Sequence, residues 1–258
     1  DNPVMNIDKE GYIWIFSTSN GTLRPSYIHK STQPYDISEF EAVLATKIEQ
    51  GEKVPMDNFS YLQSWYQPNK GFIYPLPDRS DTRTAGKAQK NDWFYDQCGW
   101  ELVFWVAGYC QDWGGALSDQ WTVRNLLGTS FNFHPFVKEG NGLNYRTNLY
   151  YLQTDDFGES WTNASGDRLT IPLKDVQNKT LVRDYKSEGL LVYINDLEFD
   201  SHNRPVILYL TSKGYEAGPE NGPRTWHTAR FTGNEWEILP VTSSDNNYDM
   251  GSLYIDGE

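Results

Sequence analysis

The chain has 258 residues, a formal net charge of −13, ten Trp and seventeen Tyr. So acidic a composition, with no run of Lys and Arg, argues against nucleic acid as a partner. No apolar stretch reaches the ~18 residues that suggest a membrane span, so no membrane partner is expected either.

Taken in chain order, Val4-Met5-Asn6-Ile7-Asp8 passes through a Lys-Glu-Gly turn into Tyr12-Ile13-Trp14-Ile15-Phe16. Two short apolar runs around a polar turn opened by Asp predict a β-hairpin. Tyr27-Ile28-His29 and Phe40-Glu41-Ala42-Val43 predict a second pair, while Ile37 to Ile48 reads equally as helix or strand. A looser copy of the first hairpin runs from Tyr61 through Asn69-Lys70-Gly71 to Phe72-Ile73-Tyr74. Cys98 and Cys110 lack CxxC spacing and read as one disulfide or two core thiols. Asn-x-Ser/Thr triplets begin at Asn20, Asn58, Asn163 and Asn178, a weak signal in a chain rich in these residues.

Thr154-Asp155-Asp156-Phe157-Gly158-Glu159-Ser160-Trp161 matches the Asp-box, Ser/Thr-x-Asp-x-Gly-x-x-Trp. Its physics is structural: Asp156 accepts backbone N–H groups in a turn, Gly158 supplies the backbone freedom, and Trp161 packs between sheets. The first hairpin then recurs, with Leu197-Glu198-Phe199-Asp200 leading through Ser-His-Asn-Arg into Pro205-Val206-Ile207-Leu208-Tyr209. Trp226 to Arg230 and Trp236-Glu237-Ile238 complete that unit, and Leu253-Tyr254-Ile255-Asp256 is expected to begin another copy.

Four short antiparallel strands per unit is the make-up of a propeller blade. The prediction is therefore an all-β fold, with residues 1–258 forming a single β-propeller domain of about four blades plus the start of another. Such a count does not close a ring neatly, which predicts an incomplete part of a larger propeller.

Several segments resemble the BNR-repeat (Asp-box) β-propeller family. They are Asp1-Asn2-Pro3-Val4, Arg24-Pro25-Ser26-Tyr27-Ile28, Arg146 to Leu152, the Asp-box itself, Leu169 to Leu173, and Gly214 to Arg230. The likeness is vague only over Asp78 to Asp119. That family includes ulvan lyases and related enzymes acting on rhamnose–glucuronate linkages. The resemblance implies seven blades, secretion or a periplasmic or cell-surface location of bacterial type, and an acidic polysaccharide or oligosaccharide as partner. It does not by itself fix the activity.

The repeat frame predicts where ligand would sit. Setting Asp8 against Asp200 places Asp1 opposite Tyr193, and setting Gly11 against Gly71 adds Tyr61. Antiparallel geometry puts Asn20, His134, Tyr145, Arg146, Trp226 and His227 on the same end, opposite the Asp-box turn. The expected substrate-binding set is Asn2, Asn20, Tyr61, Gln111, Tyr145, Trp226, His227, Asn247 and Tyr248.

A lyase acting on a uronate needs a cation on the carboxylate, a base for the C5 proton and an acid for the leaving oxygen. Arg146 suits the first role, because a guanidinium clamps a carboxylate through two parallel bonds. His134 suits the base, and Tyr193 the acid, or a base if its phenol lies beside Arg146. The resemblance implies further histidines where this chain has Asp1 and Asn20, and an Asn cannot transfer a proton. Either His134 and the tyrosines carry a polysaccharide lyase reaction, or the chain binds carbohydrate without cleaving it. A glycoside hydrolase remains open as a third reading, with Asp1 and Asp249 as its carboxylates. No cofactor motif appears, zinc spacing is absent, and scattered Asp and Asn leave structural Ca²⁺ open.

Overall fold

The computed structural model describes residues 3–17, 27–44, 46–49, 52–55, 65–67, 71–73, 115–117, 126–133, 145–156, 160–170, 173 and 175–256. They fall in two units, residues 1–88 and 89–258. All the named elements are strands except one short 3-10 turn, Pro219–Asn221.

In the first unit, β1 (Val4–Ile7), β2 (Ile13–Ser17), β3 (Tyr27–Ser31) and β4 (Phe40–Val43) form one antiparallel sheet in chain order. Two further hairpins follow: β5 (Thr46–Glu49) with β6 (Glu52–Pro55), and β7 (Trp65–Gln67) with β8 (Gly71–Ile73). The described part of the stretch from Ile37 to Ile48 holds β4 and most of β5, and no helix. The β7–β8 pair is the looser hairpin expected around Gly71.

The second unit holds two four-stranded antiparallel sheets. One is β9 (Gly115–Leu117), β10 (Leu127–Phe133), β11 (Thr147–Thr154) and β12 (Leu181–Arg183). The other is β13 (Leu191–Phe199), β14 (Pro205–Ser212), β15 (Arg224–Phe231) and β16 (Trp236–Ser244). Four-stranded meanders of this kind are the all-β architecture expected from the repeats.

The repeat has a physical basis in two aspartates. Asp8 Oδ1 accepts the backbone N–H groups of Glu10 and Tyr12 at 3.1 and 2.9 Å. Asp200 Oδ1 accepts those of His202 and Arg204 at 2.9 and 3.0 Å, the same two offsets. A carboxylate that satisfies two turn amides fixes the register of its hairpin. Gly11 closes the first turn at φ 88°, where a Cβ would strike the Tyr35 ring.

The Asp-box turn follows β11, at the third strand of its sheet. Asp156 accepts the backbone N–H of Ser160 at 2.8 Å and its hydroxyl at 2.6 Å. Burial alone would raise this carboxyl, but the Ser160 and Thr154 hydrogen bonds bring it down to about 2. Trp161 is buried with Phe131, Phe133, Tyr150, Leu152 and Leu173, while Gly158 lies outside the described residues. Asn163 and Asn178 are turn-formers: Asn163 binds the Ser165 and Asp167 amides, and Asn178 that of Thr180.

Period-two alternation divides β13 to β15 between two cores. Val192, Leu197, Ile207, Tyr209 and Ala229 pack with Leu149 and Tyr151 of β11. Leu191, Tyr193, Leu208, Leu210 and Trp226 form a separate cluster. Each Val, Leu or Ile among them contributes roughly 1.5–3 kcal/mol by leaving water.

The copy expected to open at Leu253 is not a strand. Side chains on β13 hold the start of this segment instead: Gly251 N–H, just before it, binds Asn195 Oδ1 at 3.1 Å, and Leu253 N–H binds Asp196 Oδ2 at 2.7 Å.

Candidate functional site

The chemistry-bearing residues of the second unit gather where β11 and β13 begin. Arg146 lies one residue before β11, and its carbonyl accepts the Val192 N–H at 3.0 Å. The Thr147 hydroxyl donates to the Leu190 carbonyl at 2.6 Å, which ties the two strand starts together. Across this seam the Arg146 guanidinium sits 5.0 Å from the Tyr193 ring centroid. Tyr248 meets the same ring edge-on, with centroids 5.7 Å apart at 70°.

Arg146 and Tyr193 are each 2% exposed, so they form a floor rather than a surface patch. Burial pulls the guanidinium down from its ordinary value, while the phenols of Tyr193 and Tyr248 push the other way. An arginine keeps its proton regardless. Burial raises the Tyr193 phenol, against the pull of Asn247, Arg146 and Arg224. Tyr193 is therefore a neutral proton donor at ordinary pH.

The rim is built from three segments: the approach to β11, the β14–β15 loop and the stretch after β16. Tyr145 and Tyr215 meet edge-on at 5.0 Å, and Asn247 Nδ2 donates to the Tyr215 carbonyl at 3.0 Å. Asn247 is 1% exposed, and neither its Oδ1 nor the buried Tyr193 hydroxyl has a partner at full hydrogen-bond distance, although the two side chains lie close enough for Asn247 to pull the phenol down. Buried polar atoms left without partners are costly, and their presence beside a buried cation marks a place for a polar ligand or water.

Arg224 was not among the residues expected from sequence. It is fully buried at the start of β15, donating to the Asp245 carbonyl at 3.1 Å and the Glu216 carbonyl at 2.7 Å. Its Nε has no partner. The available signal was its position, directly before Thr225-Trp226 at the end of the long loop.

Trp226 shares a cluster with Tyr193, as expected, and lines an open cleft of about 550 Å³ with Leu208, Asp249 and Gly251. His227 does not join them. It stacks on Tyr209 at 5.3 Å, binds the Thr211 hydroxyl at 3.1 Å, and lies near Tyr185 on the other face of β15. Consecutive strand residues point to opposite faces, which separates it from Trp226. Burial lowers its pKa, with the nearby Arg183 charge adding to the effect.

The structure thus brings together Arg146, Tyr193, Tyr145, Trp226, Asn247 and Tyr248. His134, Asn2, Asn20, Tyr61 and Gln111 lie outside the described residues, as do Asp1, Cys98 and Cys110. Asp249 accepts a hydrogen bond from the Ser244 hydroxyl. Among the described residues, no group of three or more His, Cys, Asp or Glu is placed to hold a metal ion.

Comparison with known proteins bears on this arrangement. The model of a BNR repeat-containing family member matches residues 90–244, which cover both four-stranded sheets of the second unit. The chain belongs to this BNR-repeat family. The ulvan lyase-PL25 of Pseudoalteromonas sp. (strain PLSV) is 22% identical to this chain over 272 residues, covering 91% of this chain and 50% of that protein. A solved structure of a PL25 ulvan lyase superposes with a TM-score of 0.56 at 17% identity, covering 92% of this chain and 56% of the other. A second, bound to -[GlcA(1-4)Rha3S]-, gives 0.56 at 18% identity over the same shares. The BNR-repeat chain therefore spans about half the length of the relatives it matches, and shares their fold.

Proposed function

We propose that this chain carries a uronate-binding site of a polysaccharide lyase, which cleaves a rhamnose–uronate polymer by β-elimination. The observation that supports this most is the buried Arg146 guanidinium over Tyr193, with unpaired polar atoms of Tyr193 and Asn247 beside it. A uronate carboxylate placed against Arg146 loses the charge that keeps its C5 proton in place. The neutral Tyr193 phenol then suits the acid that protonates the departing oxygen. His134 is the proposed base, on chemical grounds alone. Tyr145, Trp226 and Tyr248 offer rings for stacking on sugar faces, and Asn247 a hydrogen-bonding edge.

Family membership and the likeness to ulvan lyases support an acidic polysaccharide as the partner. A polymer too large to enter a cell calls for a secreted, periplasmic or cell-surface protein, and that location belongs to the same reading.

The test is incubation with a panel of uronate polymers while following the ultraviolet absorbance of an unsaturated uronate end. A gain in absorbance that disappears in Arg146→Ala supports the lyase. Reducing sugar released without that absorbance would establish a hydrolase instead. Binding without either product would leave a carbohydrate-binding module.

A further inference from the structure

The strand that delivers Arg146 contains an irregularity with a direct bearing on where its side chain goes. Asn148 adopts φ 58°, the left-handed region that L residues other than Asn, Asp and Gly seldom enter. It is fully buried, and it sits inside β11 rather than in a turn.

The register shows what that residue does. Phe131 of β10 pairs with Tyr150, and the next pair is Phe133 with Thr147. Three steps along β11 therefore oppose two along β10, which is a β-bulge. A bulge whose first residue is left-handed bends its strand and re-aims the side chains before it.

Alternation gives the consequence. Leu149 and Tyr151 face the core shared with β13, whereas Tyr150 and Leu152 face the opposite cluster, to which β13 contributes nothing. Unbroken alternation would put Arg146 with Tyr150 and Leu152, turned from β13. Instead, Phe133 of that opposite cluster pairs with Thr147, which leaves Arg146 on the β13 side: its carbonyl accepts the Val192 N–H, and its guanidinium reaches past the strand start to Tyr193, on the face of β13 away from the shared core.

We infer that the left-handed bulge at Asn148 is the positioning device that swings Arg146 across to Tyr193, making Asn148 a positioning residue for the anion clamp. This rests on the reading of Arg146 as that clamp. Asn148 is held in place on three sides. Its Oδ1 accepts the Lys186 N–H at 2.7 Å and its Nδ2 donates to the Tyr150 hydroxyl at 3.0 Å. Its carbonyl accepts Asn132 Nδ2 at 2.8 Å. The Tyr150 hydroxyl passes on to the Val176 carbonyl at 3.0 Å, so the bulge is anchored to a neighbouring loop.

Asn148→Gly and Asn148→Ala distinguish backbone from side chain, because both delete the amide and only glycine keeps easy access to the left-handed region. Asn148→Asp is the conservative third variant. Two readouts apply: the ring-shifted Nε–H resonance of Arg146 in an NMR spectrum, assigned by its loss in Arg146→Lys, and KM for uronate polymer. The Gly and Asp variants should keep the shifted resonance. The Ala variant should lose it and raise KM on the order of tenfold to a hundredfold over Gly, as expected for a displaced clamp.

Ala behaving like Gly would overturn the inference, as would Gly losing the shift. Should Ala not fold, retention of the shift in both Gly and Asp upholds the inference and its loss in Gly overturns it. A wild-type chain with the shifted resonance but neither binding nor cleavage of uronates would sink the lyase reading alone.

Discussion

Arg146 and Tyr193 are joined through a charge over a ring at 5.0 Å, and neither has more than 2% of its surface in water. A cation held there is expensive unless something anionic or polar completes its surroundings. The buried Tyr193 hydroxyl beside it lacks a partner at hydrogen-bond distance.

Tyr193→Phe should therefore separate stability from function. Removing a buried hydroxyl without a partner should leave the fold unchanged or stabilise it by about 1 kcal/mol. If Tyr193 is the acid, turnover should fall by roughly 10²–10⁴. Thermal melts and lyase rates on one preparation check both, and a variant that melts lower while keeping its rate would contradict the assignment.

Asp200 should dominate acid sensitivity in the second unit. Burial would raise its carboxyl, but hydrogen bonds from Arg204, Arg230 and the His202 amide hold it far below the usual carboxylate range. A carboxyl depressed on folding contributes stability above its unfolded pKa of about 3.9, and that contribution drains away as pH falls toward the folded value. Asp200→Asn should cost about 2 kcal/mol near neutrality, a gap that narrows below about pH 4. Urea unfolding at neutral and acid pH measures it. A gap that stays constant with pH would mean the charge is not what matters.

His227 gives the opposite kind of test. Its folded pKa is depressed by burial, so its stabilising contribution is complete above the unfolded value of about 6.5 and is lost as pH falls through it. His227→Phe should flatten the melting temperature between about pH 5 and 7. Because its ring faces Tyr209 and not Trp226, affinity for uronate oligosaccharides should not change. Loss of binding in this variant would restore His227 to the ligand side.

The hairpin frame was legible because Asp8 and Asp200 do the same local work, and local turn chemistry leaves a local trace. The outcome at Leu253 was not, because whether an apolar run becomes a strand depends on its neighbours. Here Asp196 takes the Leu253 amide proton, and Asn195 that of Gly251 just before the run. Trp226 and His227 share one end of the repeat in the sequence frame, but adjacency on a strand alone sends them to opposite faces. Arg224 leaves no such trace, because a buried guanidinium whose terminal nitrogens donate to two loop carbonyls looks, in sequence, like any loop arginine. The bulge at Asn148 left no sign either, since asparagine is common and only its backbone angle reveals the device.

The most direct measurement compares a uronate oligosaccharide with its methyl ester by calorimetry, in wild type and in Arg146→Ala. A guanidinium floor predicts that wild type binds the free acid at least about tenfold more tightly than the ester, since charged hydrogen bonds are the stronger kind. In Arg146→Ala the two ligands should bind alike. Equal affinity of wild type for acid and ester would contradict a carboxylate seated on Arg146.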